Sequence, residues 1–142
     1  MVSNRCQYAL RAMVELTRRE GKGLATIGEI ARARHIPVRF LESILLALKQ
    51  NGYTRSVRGK EGGYLLARPA SEISAGEIIR LFEGPLFAAR KARAEFPPRD
   101  VLAALWKKAD TALSSVFDSV SFEDLARLDE QCDRATELHY DI

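Results

Sequence analysis

The stretch TIGEIARARHIPVRFLESILLALKQNGYTRSVRGKEGGYLLAR, residues 26–68, decides the fold. It opens on Thr26-Ile27-Gly28-Glu29, a capping box in which the Thr26 hydroxyl accepts from the Glu29 backbone and the Glu29 carboxylate reaches back. Ile27, Ile30 and Ala31 give the helix that follows a buried stripe, and that helix runs to about Arg34. His35-Ile36-Pro37 is a turn, and Pro37 suits the start of a helix because its missing N–H is harmless there. From about Val38 to Gln50 a third helix buries Phe40, Leu41, Ile44, Leu45 and Leu48, while Leu46 is too apolar to stand fully exposed. Asn51-Gly52 closes it. Tyr53 to Val57 alternates as a strand, Tyr64 to Ala67 reads as its partner, and the tip between them is Arg58-Gly59-Lys60-Glu61-Gly62-Gly63. Helix, tight turn, helix and glycine-rich hairpin, in that order, are the plan of a winged helix-turn-helix, in which a DNA duplex accepts both a helix and a basic loop.

Outward from that stretch, residues 3–20 read as a first helix on Tyr8, Leu10, Ala12, Met13, Leu16 and Thr17, ended by Gly21-Lys22-Gly23. On the other side, Ser74-Ala75-Gly76-Glu77 is a second capping box, opening a fourth helix to about Phe82. Residues 87–97 form an irregular loop. A long amphipathic helix then spans about 99–118, with Val101, Leu102, Leu105, Trp106, Ala109, Leu113, Val116 and Phe117 on one broad face. Such a face on a DNA-reading module is most simply a dimer interface. A short last helix opens at Ser121 and carries Leu125 and Leu128, followed by an acidic tail prone to fraying. The fold class expected is therefore mainly α with a small β-hairpin wing. Residues 1–86 form the DNA-binding domain, 87–97 the loop, and 98–142 the dimerisation helix and C-terminal helix.

Charge sharpens this reading. The net charge is only +3, but residues 1–70 hold 13 Lys/Arg against 5 Asp/Glu, whereas residues 71–142 hold 9 against 14. A basic first half and an acidic second half put the polyanion-binding surface in the first. The candidate DNA contacts are Thr26, Val38, Arg39, Phe40, Ser43, Lys49, Arg55, Arg58, Gly59 and Lys60. The N-terminal N–H groups of the second helix, from Thr26 to Gly28, suit a phosphate. Arg39 suits guanine O6 and N7, Ser43 is permissive, and Val38 or the Phe40 ring edge suits a thymine methyl. Arg58 on a glycine-rich tip suits a narrow minor groove. Lys49, Arg5 and Arg11 suit phosphates, although any exposed cation is also simply solvated.

The chemistry that is missing narrows the function. No apolar run approaches the ~18 residues of a membrane span, and the first residues lack the apolar core of a signal peptide, so a cytoplasmic protein with no membrane partner is expected. Two histidines, no paired catalytic constellation and no phosphate-binding glycine motif argue against an enzyme. Cys6 and Cys132 make neither a disulfide framework nor a zinc site. Cys6, with Arg5 nearby to lower its pKa, is a candidate redox thiol, and a small buried residue is the simpler reading. The alternative to a DNA-reading regulator is a regulatory interaction module that binds a protein partner with little or no DNA binding; retention of Arg39, Arg58 and Lys60 speaks against it.

The segments Tyr8-Ala9-Leu10-Arg11, Ile27-Gly28-Glu29-Ile30-Ala31, Phe40-Leu41-Glu42-Ser43-Ile44-Leu45 and Ser56–Pro69 resemble the IscR/NsrR/CymR (Rrf-two) family of bacterial winged-helix regulators. Ile73-Ser74-Ala75-Gly76-Glu77-Ile78-Ile79 and Glu83-Gly84-Pro85-Leu86 continue the match, which is close over residues 3–86. The resemblance implies a homodimeric transcription factor, usually a repressor, that binds a palindromic operator through the third helix and the wing. An effector protein or small molecule is a candidate further partner. Many members carry three cysteines in the loop before the long helix, and these hold an iron–sulfur cluster. The corresponding Phe87-Ala88-Ala89-Arg90-Lys91-Ala92-Arg93-Ala94-Glu95-Phe96 has none, and the family's fourth ligand falls near Gln7. Thiolates are the usual cluster ligands. A clusterless member with no cofactor is expected.

Overall fold

A computed structural model describes residues 2–85 and 101–140. The loop expected at 87–97, the boundary at residue 86 and the first two residues of the expected long helix lie outside the described residues. Helix α1 (Asn4–Arg18) is capped by Ser3, whose hydroxyl accepts from the Cys6 amide at 3.2 Å. Its buried face is Cys6, Ala9, Ala12, Met13 and Leu16, at the three- and four-residue spacing of one helix face, with Tyr8 and Leu10 only half-buried at the edge. Helix α2 (Ile27–Arg34) starts on the expected capping box, with both hydrogen bonds present. It ends at His35 in the left-handed conformation, φ 53°, a geometry uncommon for any residue but glycine. That sharp exit turns the chain into Pro37 and helix α3 (Val38–Gln50), where Leu41, Ile44, Leu45 and Leu48 are fully buried.

The wing is strand β1 (Thr54–Val57) antiparallel to strand β2 (Gly63–Leu66), with Thr54 opposite Leu66 and Val57 opposite Gly63. A third partner joins this hairpin: Ala25, just before α2, exchanges backbone hydrogen bonds with Tyr64 at 3.0 and 2.7 Å. The approach needs glycine at position 63, because a Cβ there would lie 2.5 Å from the Ala25 carbonyl oxygen. The wing is thus pinned to the start of the helix-turn-helix.

A short 3₁₀ turn (Ala70–Glu72) leads into helix α4 (Ala75–Glu83), again opened by a complete capping box, Ser74 with Glu77. Helix α5 (Val101–Asp118) and helix α6 (Phe122–Tyr140) follow. One continuous core joins α1, α2, α3, α4 and the first turn of α6, and Phe122 is its largest fully buried side chain.

The structure changes the sequence expectation at three places. The last helix is not short: it runs 19 residues to Tyr140 and lies along α1, with Phe122 and Ala126 buried. Two of its acidic residues, Asp129 and Asp133, are held by Arg18 and Arg34 of the first half, and the expected fraying tail is helical to Tyr140. Phe40 is 40% exposed rather than part of the buried stripe, and Leu46 is 54% exposed. Finally, Phe117 does not share the outer face of α5. It packs inward with Cys6, Ala75 and Ile79, so that face both covers its own domain and presents apolar surface.

Candidate nucleic-acid interface

The first element of the site is the start of α2. Glu29 accepts from the Thr26 amide at 3.1 Å and also from Arg19 at 3.1 Å, so the carboxylate nearest this helix end is neutralised. By helix geometry the amides of Ile27 and Gly28 have no acceptor within the helix, and they point where an anion is favoured.

Helix α3 supplies the second element. Val38, Arg39, Phe40, Ser43 and Lys49 are all exposed. Phe40 holds a middle position: its ring lies 6.0 Å from that of Tyr8, and the Arg39 guanidinium sits 4.9 Å over it. Arg39 is therefore stacked, which restricts a long side chain. The Ser43 hydroxyl donates to the Phe40 carbonyl at 3.0 Å, leaving its oxygen lone pairs outward.

The third element is the wing tip. Arg55, Val57, Arg58, Gly59, Lys60 and Glu61 are exposed. Gly59 has φ +119°, a conformation L side chains rarely adopt. A Cβ on Gly62 would lie 2.2 Å from the Val57 carbonyl oxygen, so the tip closes on its own backbone only with glycine there.

Electrostatics separate two classes of cation. Arg34, at the end of α2, makes a bidentate pair with Asp129 of α6 at 3.0 and 2.7 Å, and its Nε donates to Glu15 at 3.2 Å. Arg18 donates to the same Asp129 at 2.7 Å and to Asp133. These hydrogen bonds, Arg34 first, hold the Asp129 carboxyl below the usual carboxylate range, and those to Asp133 and Asp129 hold Arg18 above its ordinary value. Arg19 pairs with Glu15 and Glu29, and Arg68 with Glu77. By contrast, Arg39, Lys49, Arg55, Arg58 and Lys60 form no ion pair among the described residues. The two halves of the chain that carry opposite charge are thus joined in part by ion pairs, and the cations left over include those of α3 and the wing. Sequence reading missed this network, because only the Glu15–Arg19 pair has the helical i,i+4 spacing that would announce it.

Cys6 is a correction. Arg5 does not lower its pKa; that guanidinium sits 5.2 Å over the Phe82 ring. The thiol is fully buried, and burial, with the nearby Glu83 charge, pushes it up to about 11. Cys132 is the exposed cysteine. Among the described residues no group of His, Cys, Asp and Glu is placed to hold a metal ion, and no helix is long and apolar enough to cross a membrane.

The family model described as "Rrf2: Iron-dependent Transcriptional regulator" matches residues 2–128. The chain belongs to the Rrf2 family. The transcriptional regulator CymR of Bacillus subtilis is 34% identical over 125 residues, 88% of each chain. Among solved structures, IscR of T. potens superposes with a TM-score of 0.79 at 31% identity, covering 93% of this chain and 90% of its own. The structure of CymR (YrzC), described as the global cysteine regulator of B. subtilis, gives 0.77 at 33% identity over 90% of this chain and 97% of its own. As an Rrf2 protein with this winged-helix fold, the chain is a DNA-binding transcriptional regulator and not an enzyme. Ala25, Tyr64 and Gly63 then acquire a role that sequence reading did not give them. They fix the wing relative to the helix-turn-helix of this Rrf2 protein.

Proposed function

We propose that this Rrf2 protein is a homodimeric repressor that reads a palindromic operator with α3 and the wing and carries no iron–sulfur cluster. The reading rests on one observation above the others: the exposed cations of α3 and the wing have no carboxylate partner among the described residues, while Arg18, Arg19, Arg34 and Arg68 are neutralised internally. A duplex supplies the missing anions as phosphates, releasing its own counterions. Arg39, Ser43, Val38 and the exposed edge of Phe40 face the major groove; Arg55, Arg58, Gly59 and Lys60 follow the backbone into the minor groove; Thr26 and Lys49 take phosphates. The apolar outer face of α5, from Val101 and Leu102 through Leu105 and Trp106 to Val116, supports a second copy as its cover, since a surface of this kind is rare on a monomer. Ala109 and Leu113 sit half-buried along the same helix. Repression follows from occupancy: a protein seated on an operator excludes polymerase.

The donor set does not fit an iron–sulfur cluster. Clusters are held by several thiolates, and the chain has two cysteines, one fully buried on α1 and one exposed on α6. The test is selection of duplexes from a random library, followed by footprinting and sedimentation. A two-fold symmetric footprint bound by a dimer, by protein purified without air and free of iron and sulfide, is the expected result. An asymmetric footprint, a monomer, or stoichiometric iron and sulfide each overturns the corresponding part.

A further inference from the structure

We propose that one turn of α4, through Gly76 and Arg80, positions the reading head against the dimer helix and thereby sets the separation of half-sites the protein accepts. The proposal rests on the dimeric reading above and adds residues to it that lie outside both the proposed DNA contacts and the proposed apolar interface.

The two ends of this joint are built differently. Toward α5, the chain is stitched by backbone: Ala75 donates to the Val120 carbonyl at 2.8 Å and Phe122 to the Ile73 carbonyl at 2.9 Å, an antiparallel bridge of Ser74 with Ser121. Beside it Arg80 grips Asp118, the last residue of α5, with two hydrogen bonds of 3.2 and 2.8 Å. Gly76 makes room for that carboxylate, because a Cβ would lie 1.9 Å from Asp118 Oδ1. Toward the head, the neighbouring Glu77 accepts from the Ser74 amide at 2.8 Å and from Arg68 at 3.5 Å. Arg68 in turn lies 5.6 Å over the Tyr53 ring and donates to the Glu72 carbonyl at 3.2 Å. Tyr53 is where α3 ends and the wing begins: its amide donates to Leu48 and its carbonyl accepts from Ala67. A single helical turn therefore holds the end of α5 on one side and the base of both reading elements on the other.

Leverage makes this joint matter. Half-sites one helical turn apart lie about 34 Å from centre to centre, so each head stands about 17 Å from the dyad. A displacement of the head along the duplex by about 3.4 Å, one base-pair step, puts it out of register with its half-site, so the angle held at the joint bears on the separation accepted. The Arg80–Asp118 pair is poorly placed to add stability, since its side chains are 43% and 44% exposed and such pairs contribute little. Its two-point geometry is nonetheless directional. Stability and alignment are therefore separable at this pair.

The experiment uses the full-length protein and a duplex selected by it from a random library. Half-site separation is then changed by one base pair in each direction, and an isolated half-site is measured alongside. The wild type should discriminate by about tenfold or more. Asp118→Asn, and independently Gly76→Ala, should cut that to about threefold or less, with half-site affinity and melting temperature unchanged. If both variants keep the wild-type discrimination, or lose half-site affinity in step with it, the positioning role is overturned while the DNA reading stands. If the wild type enriches no sequence at all, the DNA reading fails and this inference fails with it.

Discussion

At the scale of single residues, burial decides which side chains are available to chemistry and which only shape the surface. Cys6 and Cys132 make the contrast plain. A thiol pushed up to about 11 and fully buried holds roughly one thiolate in a thousand at pH 8, behind the packed face of α1. Cys132, exposed on α6, should therefore react with a disulfide reagent in the native protein as one fast thiol per chain, and the second should appear only on unfolding. Two fast thiols would contradict the burial of Cys6. On the wing the reasoning runs the other way, since Arg58 is exposed and has no ion pair among the described residues. Arg58→Ala should weaken operator binding several-fold and reduce the slope of log affinity against log salt by about 0.9, the share of one phosphate. An unchanged slope and footprint would remove Arg58 from the interface.

At the scale of elements, the sequence made the helix-turn-helix, the hairpin and two capping boxes legible, because each is written in contiguous residues: Thr26 with Glu29, Ser74 with Glu77, glycines at the tip. What could not be read was contact between distant segments. Ala25 meeting Tyr64, Phe122 filling the core, and Asp129 receiving Arg18 and Arg34 join residues up to 111 positions apart, with no periodicity to announce them. The same limit hid the true length of α6, whose polar sequence looks like a tail until its aspartates find their arginines. The face of α3 was legible except at Leu46, which stands exposed, and at Phe40, where Tyr8 and Arg39 hold an aromatic ring at the surface that hydrophobicity alone assigns to the core. The α6 ion pairs make a measurable prediction. The folded Asp129 carboxyl lies below its ordinary pKa of 3.8, so the unfolded chain binds more protons around that value. Its contribution is complete above about pH 4 and is lost as pH falls through the lowered folded value. Asp129→Asn should destabilise the protein by about 1–2 kcal/mol at pH 6, modest because the pair is partly exposed. The gap in urea midpoint between wild type and variant should narrow at pH 3. A gap that is the same at both pH values would show that these bonds do not hold α6 to α1.

At the scale of the whole molecule, the charge asymmetry of the sequence and the apolar face of α5 are two parts of one design. The acidic half neutralises selected arginines of the basic half, Arg18, Arg34 and Arg68, and leaves the cations of α3 and the wing among those with no ion pair among the described residues. In the dimer proposed above, the apolar helix would double that set of cations by pairing two copies. Affinity for a palindrome would then arise from the linkage: once one head is bound, the second meets its half-site at a high effective concentration. Trp106 is the side chain through which to break this linkage, being aromatic, 43% exposed and central to the face. Trp106→Asp places a charge where the partner copy must desolvate it, so sedimentation at micromolar concentration should report monomers where the wild type reports dimers. The core of α1 to α4 is untouched by the change, so the variant should retain its helical content and its affinity for an isolated half-site. Its affinity for the full palindrome should fall by about 10²–10⁴, the avidity that linked sites supply. A variant that sediments as a dimer would move the interface off this face. A monomeric variant that still binds the palindrome as tightly as the wild type would show that each chain reads DNA alone, and that the dimer helix serves some end other than recognition.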